Sequence, residues 1–134
     1  MFILVKTEDR LADFMASSSL SASAVNIYRG QGNEDKEAPA LIIVADNATE
    51  EFAGSGIWHV KTEFRVKELA SDTSVTSSLA DTVFSAFLND NTKNQLSGSG
   101  YYCYDLFVED TANSRDGDTW IQTVRMDIVC ALTT

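Results

Sequence analysis

In two long segments of the chain, apolar residues recur at almost every second position. In GIWHVKTEFRVKE, residues 56–68, one side of an extended chain carries Trp58, Val60, Thr62, Phe64 and Val66. The other side carries His59, Lys61, Glu63, Arg65 and Lys67. The segment TWIQTVRMDIVCAL, residues 119–132, has the same period of two. Because successive side chains of a strand point to opposite faces, each segment predicts a long strand with one buried and one mixed face.

Shorter patterns predict the remaining strands and the turns. The segment 24–30 is a strand candidate, and the apolar run ALIIVADN, residues 40–47, predicts a strand covered on both faces. Between them the polar segment 31–39 ends in the only proline and predicts an exposed loop. The aromatic segment 101–110 predicts a strand that forms a hairpin with 119–132, around a turn at Asp116 and Gly117.

Two segments have helical periodicity. Residues 3–17 place apolar side chains at helical spacing, and residues 71–90 carry an apolar stripe from Val75 to Leu88. The predicted order is therefore α-β-β-β-α-β-β. This order indicates an α+β fold, a mainly antiparallel sheet with helices packed on one side. The length of 134 residues suits a single domain spanning residues 1–134.

Charge and composition limit the partners of the chain. Its 20 acidic and 10 basic residues give a formal charge of −10, which repels a phosphate backbone and argues against specific nucleic-acid binding. The charge still permits a ring through which DNA passes. We expect no membrane partner, since no apolar stretch approaches about 18 residues. We expect Cys103 and Cys130, which lie in predicted strands, to be buried thiols of a reducing compartment.

The residue types that carry out catalysis or bind metals do not form a recognisable pattern. The one histidine, His59, has no nucleophile motif to serve, and two distant cysteines do not make a zinc pattern. The acidic turn 109–118 lacks the ligand spacing of a calcium loop, and the two Gly-Ser-Gly segments precede strands rather than helices. We therefore expect no catalytic, cofactor-binding or metal-binding residue, and no enzyme.

The mixed face of residues 56–68 gathers cations in an acidic protein, and two interpretations stay open. One is a solvated sheet face with cross-strand ion pairs. The other is a contact between neighbouring copies, in which the basic strand meets acidic loops. Its candidate interface residues are Lys61, Arg65 and Lys67 on one side and Glu34, Asp35, Glu37, Glu50 and Glu51 on the other.

The order of segments resembles that of the tail terminator, or tail completion, proteins of long-tailed bacteriophages. The resemblance runs through the first helix, VNIYRG, APALIIV, GIWHVKTEFRVKE, SLADTVFSAFLND and RDGDTWIQTVRMDIVCAL, and so covers almost the whole chain. It implies a sheet flanked by helices and a homohexameric ring at the head-proximal end of the tail. It also implies that the ring stops polymerisation of the tail tube protein and presents a surface to the head–tail connector protein. Such a virion protein has no catalytic residue and assembles in the host bacterial cytoplasm.

Two other functions remain open. The first is a head–tail connector, neck or minor tail protein of the same assembly module, which has a similar pattern. The second is a small-molecule-binding α+β domain, for which the only support is a set of aromatic residues: Tyr101, Tyr102, Tyr104, Trp58 and Trp120. Aromatic residues of this kind are more often part of a core or an interface.

Overall fold

The structure is a computed structural model that describes residues 2–17, 26–30, 40–69, 85, 92–117 and 119–133. Within these residues the elements, in chain order, are α1 (Ile3–Ser17), β1 (Asn26–Arg29), β2 (Ala40–Glu50), β3 (Trp58–Leu69), α2 (Thr92–Leu96), β4 (Tyr101–Asp116) and β5 (Thr119–Leu132). The predicted α+β class and the order α-β-β-β-α-β-β are confirmed.

The five strands form one mixed sheet in the order β1-β2-β3-β5-β4. Only β1 and β2 pair in parallel, while the other three pairs are antiparallel, so the sheet is mainly antiparallel as predicted. The central pair, β3 with β5, stays in register from Trp58 opposite Cys130 to Leu69 opposite Thr119. The two strands with the clearest alternation therefore form the middle of the sheet.

Both described helices pack on the same face of the sheet, which we call the inner face. The core beneath them joins side chains of α1, α2 and strands β2 to β5, and the partly buried Ile27 of β1 packs against it. Its buried members are Ile3, Leu11, Phe14, Met15, Leu41, Ile43, Ala45, Val60, Phe64, Val66, Leu96, Tyr101, Cys103, Val124, Met126, Ile128 and Cys130. The opposite face of the sheet is called the outer face. The first six residues of β2 are buried on both faces, as the continuous apolar run predicts.

Helix α1 holds the sheet and α2 together through the polar side chains of Thr7, Glu8 and Arg10. The buried Thr7 hydroxyl donates to the carbonyl oxygen of Ile3 at 2.8 Å and lies 3.2 Å from the hydroxyl of Tyr101. Glu8 Oε2 accepts the backbone N–H of Ala45 at 2.9 Å, next to a bulge in the pairing of β2 with β3. These bonds satisfy groups that would otherwise be buried without partners.

Arg10 closes the carboxyl end of the short helix α2. Its Nε donates to the carbonyl oxygen of Leu96 at 2.8 Å, and its Nη2 donates to the carbonyl oxygens of Gln95 and Ser97 at 3.2 and 3.3 Å. The last carbonyls of a helix have no partner within the helix and carry partial negative charge, so a guanidinium group suits them. A five-residue helix is thereby fixed against α1.

The structure extends some predicted elements and leaves others untested. Strand β2 continues to Glu50 and β4 to Asp116, beyond the predicted ends at residues 47 and 110. Gly117, at a φ of +59°, lies in the predicted turn that joins β4 to β5. The predicted helix 71–90 lies outside the described residues except for Ser85, which is helical, and the predicted loop 31–39 lies outside them entirely.

Truncation of the most central core residue tests the assignment of faces. Phe64 is fully buried, and Val124 is its partner on β5. We expect Phe64→Ala to lower the free energy of unfolding by about 3–5 kcal/mol, because it removes buried apolar surface and leaves a cavity. Urea denaturation gives this value. Thr49→Ala, on the exposed part of β2, is the control and should change stability by no more than about 0.5 kcal/mol. A loss below about 1 kcal/mol for Phe64→Ala would contradict the assignment.

Candidate interaction surface

The outer face carries ion pairs that connect β3, β5 and β4. Lys61 Nζ lies 2.8 Å from Glu109 Oε1 and 3.5 Å from Asp127 Oδ2. His59 Nδ1 lies 3.1 Å from the same Asp127 oxygen. The pairing register places Lys61 directly opposite Asp127, with Phe107 on the far side of Asp127 in β4. One carboxylate on the central strand β5 therefore contacts two residues of β3.

A second group of ion pairs lies further along the same strands. Arg125 Nη1 lies 2.8 Å from Asp110 Oδ1, and Arg125 Nη2 lies 3.7 Å from Glu63 Oε1. The other oxygen of Glu63 lies 3.3 Å from Arg65 Nη2. The contacts of Arg125 are cross-strand ion pairs of the kind that one interpretation of the mixed face predicted, whereas Glu63 and Arg65 pair within β3. Ion pairs exposed to water contribute little to stability, so the main effect of these pairs is to orient the side chains.

The three candidate interface cations differ in accessibility. Lys61 and Arg65 keep 43% and 31% of their side-chain surface exposed, so each has room for a further partner from another molecule. Lys67 is only 7% exposed. The acidic strand neighbours that pair with Lys61, namely Glu109 and Asp127, were not among the partners predicted from the sequence.

The candidate acidic residues are only partly described. Glu34, Asp35 and Glu37 lie outside the described residues. Glu50 Oε2 accepts the backbone N–H of Gly56 at 3.0 Å and so shapes the β2–β3 connection. Glu51, half-exposed at 47%, lies 4.0 Å from His59 Nε2. The structure thus places Glu51 at the end of the outer face, near the cationic strand of its own chain.

A small cleft of about 210 Å³ opens between the two groups of ion pairs. Its lining is mostly charged and consists of Asp46, Lys61, Thr62, Glu63, Glu109, Asp110, Arg125 and Met126. Sites for small organic ligands are usually larger, about 300–1,000 Å³, and lined mainly by apolar side chains. The cleft therefore has the character of a charged surface groove.

The aromatic residues of the chain do not form one cluster. Tyr101 is buried in the core under α1, and burial raises the pKa of its hydroxyl. Tyr102 and Tyr104 are half-exposed on the edge strand β4, with ring centroids 4.7 Å apart in an edge-to-face arrangement. Phe107, further along β4, is 51% exposed. The outer face thus combines ion pairs at its centre with exposed aromatic rings at one edge.

At the hairpin end, the aromatic Trp120 has a separate environment. The guanidinium of Arg115 lies 5.3 Å from the centre of its ring, within the range of a cation–π contact. Its indole nitrogen is buried without a hydrogen-bond partner in the described part of the chain. Trp58, at the opposite end of β3, packs against the core. These positions separate the residues that suggested a small-molecule site.

In the described ranges, no group of three or more histidine, cysteine or acidic residues is placed to hold a metal ion. The same part of the chain contains no helix with the length and apolar character needed to cross a membrane. No protein family model and no curated protein matches the sequence. The function therefore has to be inferred from the element order and from the outer face.

The acidic partners of the cationic strand could have been found from a different pattern. If residues 56–68 and 119–132 are aligned as antiparallel neighbours, one register places Lys61 opposite Asp127 and Glu63 opposite Arg125. Both pairs bring opposite charges together on one face, and such pairs favour a register. Complementary charge between two alternating segments is thus a signal for strand pairing.

The ion pair with Glu109 should raise the pKa of Lys61 by an amount that can be measured. The hydrogen bond to the Glu109 carboxylate raises the pKa of Lys61 above its usual value. The pair therefore stabilises the fold below the unfolded-state pKa of about 10.4, and this contribution is lost as the pH rises through the higher folded-state pKa. Nuclear magnetic resonance of the Lys61 side chain should show the raised pKa, and Glu109→Gln should lower it. Glu51→Gln is the control; an equal pKa in wild type and Glu109→Gln would contradict the pairing.

Proposed function

We propose that this chain is a structural virion protein, the tail terminator of a long-tailed bacteriophage. In this proposal it forms a homohexameric ring at the head-proximal end of the tail. The ring stops polymerisation of the tail tube protein and joins the tail to the head–tail connector protein. DNA passes through the ring without specific binding, and the protein has no catalytic activity.

The observation that carries the proposal is the element order together with its sequence segments. The chain has the order α-β-β-β-α-β-β, with β1, β2, β3 and β5 in segments on which the resemblance to tail terminators rests. The helices α1 and α2 cover the inner face of the sheet. A sheet flanked by helices is the fold that the resemblance implies, and the accessible part of the outer face carries Lys61 and Arg65.

A ring needs two different surfaces that meet head to tail, because identical surfaces would close into a dimer. At a net charge of −10, copies of this chain repel one another at long range, so the contact requires a local region of opposite sign. Lys61 and Arg65 supply exposed cationic groups on the outer face. Glu51, in the connection between β2 and β3, is an exposed carboxylate near His59 at the start of β3. We propose that Lys61 and Arg65 of one copy face the β2–β3 connection of the next copy, which carries Glu51.

A head–tail connector, neck or minor tail protein of the same assembly module is the second candidate. It is favoured by the same element order, and it differs in the molecules that it binds. A terminator contacts the end of the tail tube as well as the connector. Binding to purified tail tube protein therefore distinguishes the two candidates.

A small-molecule-binding domain has less support. The aromatic residues that suggested it are divided between the core and the outer face, as for Tyr101 and Tyr102. The cleft on the outer face is small and its lining is charged. A rise in melting temperature with one member of a metabolite panel would favour this function over a virion role.

Light scattering coupled to size-exclusion chromatography tests the proposed ring. We expect a species with the mass of six 14.7 kDa subunits that binds tail tube protein. Negative-stain electron microscopy should show a ring with a central opening. A chain that remains monomeric at high concentration and binds neither the tail tube nor the connector protein would overturn the proposal.

Substitution of Arg65 tests the interface within the proposed ring. Arg65→Gln removes the charge without placing two carboxylates side by side near Glu63, so the subunit should stay folded. We expect each subunit contact to weaken by about 1 kcal/mol or less, and the six contacts together to shift the ring towards free subunits. Analytical ultracentrifugation measures this shift, and circular dichroism checks the fold.

Arg115→Gln is the matched control for this substitution. Arg115 lies near the hairpin turn, where it contacts Trp120 and the carbonyl oxygen of Gly117, outside the proposed interface. It should leave assembly unchanged. If Arg65→Gln assembles like the wild type at low salt while the hexamer itself is present, the interface lies elsewhere and the ring proposal stands.

A further inference from the structure

The two cysteines of the chain face each other across neighbouring strands. Cys103 on β4 and Cys130 on β5 are direct partners in the antiparallel register. Both side chains point to the inner face, where they are 3% and 0% exposed and belong to the same core cluster. The sequence predicted each of them as a buried thiol, and this burial is confirmed. Their pairing agrees with the predicted hairpin around Asp116 and Gly117.

The backbone hydrogen bonds show which kind of antiparallel pair they form. Thr133 N–H donates to the carbonyl oxygen of Gly100 at 2.7 Å, so Gly100 and Thr133 form a hydrogen-bonded pair. Such pairs alternate along an antiparallel ladder with pairs that do not bond each other. Counting from Gly100, Cys103 falls in a non-hydrogen-bonded pair. The N–H of Cys103 accordingly donates away from β5, to Ser97 Oγ at 3.0 Å.

This kind of pair brings two cysteines within reach of a disulfide. The Cα atoms of a non-hydrogen-bonded pair lie about 4.5 Å apart, closer than in the alternate pairs. Disulfides join residues whose Cα atoms are about 4.4–6.8 Å apart. A bridge between Cys103 and Cys130 therefore requires rotation of the side chains and little movement of the backbone.

We propose that Cys103 and Cys130 form an oxidation site, which a peroxide converts into a cross-strand disulfide. The Cys103 thiolate attacks one oxygen of hydrogen peroxide, the O–O bond breaks, and the products are a sulfenic acid and water. The Cys130 sulfur then attacks the sulfenic sulfur, the S–O bond breaks, and a second water leaves. Two thiols and one peroxide thus give one disulfide and two waters, with each sulfur losing one electron.

The surroundings of the two sulfurs assign their order of reaction. Cys130 lies on β5, which has β3 and β4 as neighbours on its two sides, 3.9 Å from Thr7 Oγ1 of α1, and burial raises the pKa of its thiol. Cys103 lies near the start of the edge strand β4, next to the irregular pairing between Cys103 and Asp105. Its thiol donates to the carbonyl oxygen of Asp105 at 3.5 Å. Local opening at the end of an edge strand needs less energy than opening of a central strand, so Cys103 meets the peroxide first.

The disulfide would join the first part of β4 to the end of β5 and leave the outer face unchanged. Its formation depends only on the fold of one subunit, so the inference is independent of the proposed ring. The bridge would prevent the first part of β4 from separating from β5.

Peroxide treatment of the folded full-length chain tests the site. Protein thiols that remain after the treatment are alkylated. We expect the intact mass to fall by two hydrogen atoms per chain, and we expect a peptide map to show Cys103 linked to Cys130. Dithiothreitol should reverse both changes. Cys103→Ala should leave Cys130 reduced, while Cys130→Ala should give a sulfenic acid on Cys103 that dimedone traps.

Three outcomes of this experiment would overturn the inference. They are thiols that stay reduced in peroxide, a disulfide that links two chains instead of one, and oxidation of Cys130 before Cys103. Oxidation of Cys130 before Cys103 would contradict the proposed order of attack even if the bridge forms.

A thiol–disulfide equilibrium with the wild-type chain provides a measurement that needs no variant. In mixtures of oxidised and reduced dithiothreitol, the equilibrium constant for closing the bridge should be about tenfold or more greater in native buffer than in urea. The reason is that the native register holds the two sulfurs together, whereas the unfolded chain brings them together only rarely. A constant that is equal or smaller in native buffer would show that the folded site does not fit a disulfide.

Discussion

The register between β3 and β5 is the constraint on which the rest of the sheet depends. On the inner face it places Phe64 opposite Val124 and Val60 opposite Ile128, all buried. A shift by one residue would turn every side chain of one strand to the other face. It would bury charges beneath α1 and expose the core, and the apolar cluster therefore specifies the register strongly.

The same register organises the outer face. It sets Lys61 opposite Asp127 and Glu63 opposite Arg125, so a slip would also place these charges against apolar or like-charged partners. Individually the pairs are weak, because they are partly exposed to water. Together they favour the register that the core already requires, and agreement between such levels is what makes one structure stable relative to its alternatives. Strand β4 then adds Glu109 and Asp110 to the network from the far side of β5.

The sequence predicted those features that depend on local periodicity. The bounds of β5 were predicted correctly. Strand β3 begins at Trp58, inside the predicted segment 56–68, because alternation of apolar and polar residues marks a strand with one buried and one mixed face. The last part of β4, residues 111–116, was predicted as part of a turn because most of its residues are polar. It is a strand because β5 supplies backbone partners as far as Asp116 opposite Thr119. The partners of Lys61 were missed for a similar reason: periodicity gives the face of a residue but not the order of strands.

The charges of the outer face bear on how such a protein could assemble. The ion pairs described above join three cations to four carboxylates, so this surface is close to neutral although the whole chain carries −10. Most of the negative charge therefore lies elsewhere, where it keeps copies apart in solution. A nearly neutral surface with exposed rings at Tyr102, Tyr104 and Phe107 repels a second copy less than the rest of the molecule does. Aromatic side chains are enriched in protein interfaces, since they bury much surface and lose little conformational freedom. An assembly contact at the outer face would accordingly draw its affinity from these rings, and its orientation from Lys61 and Arg65.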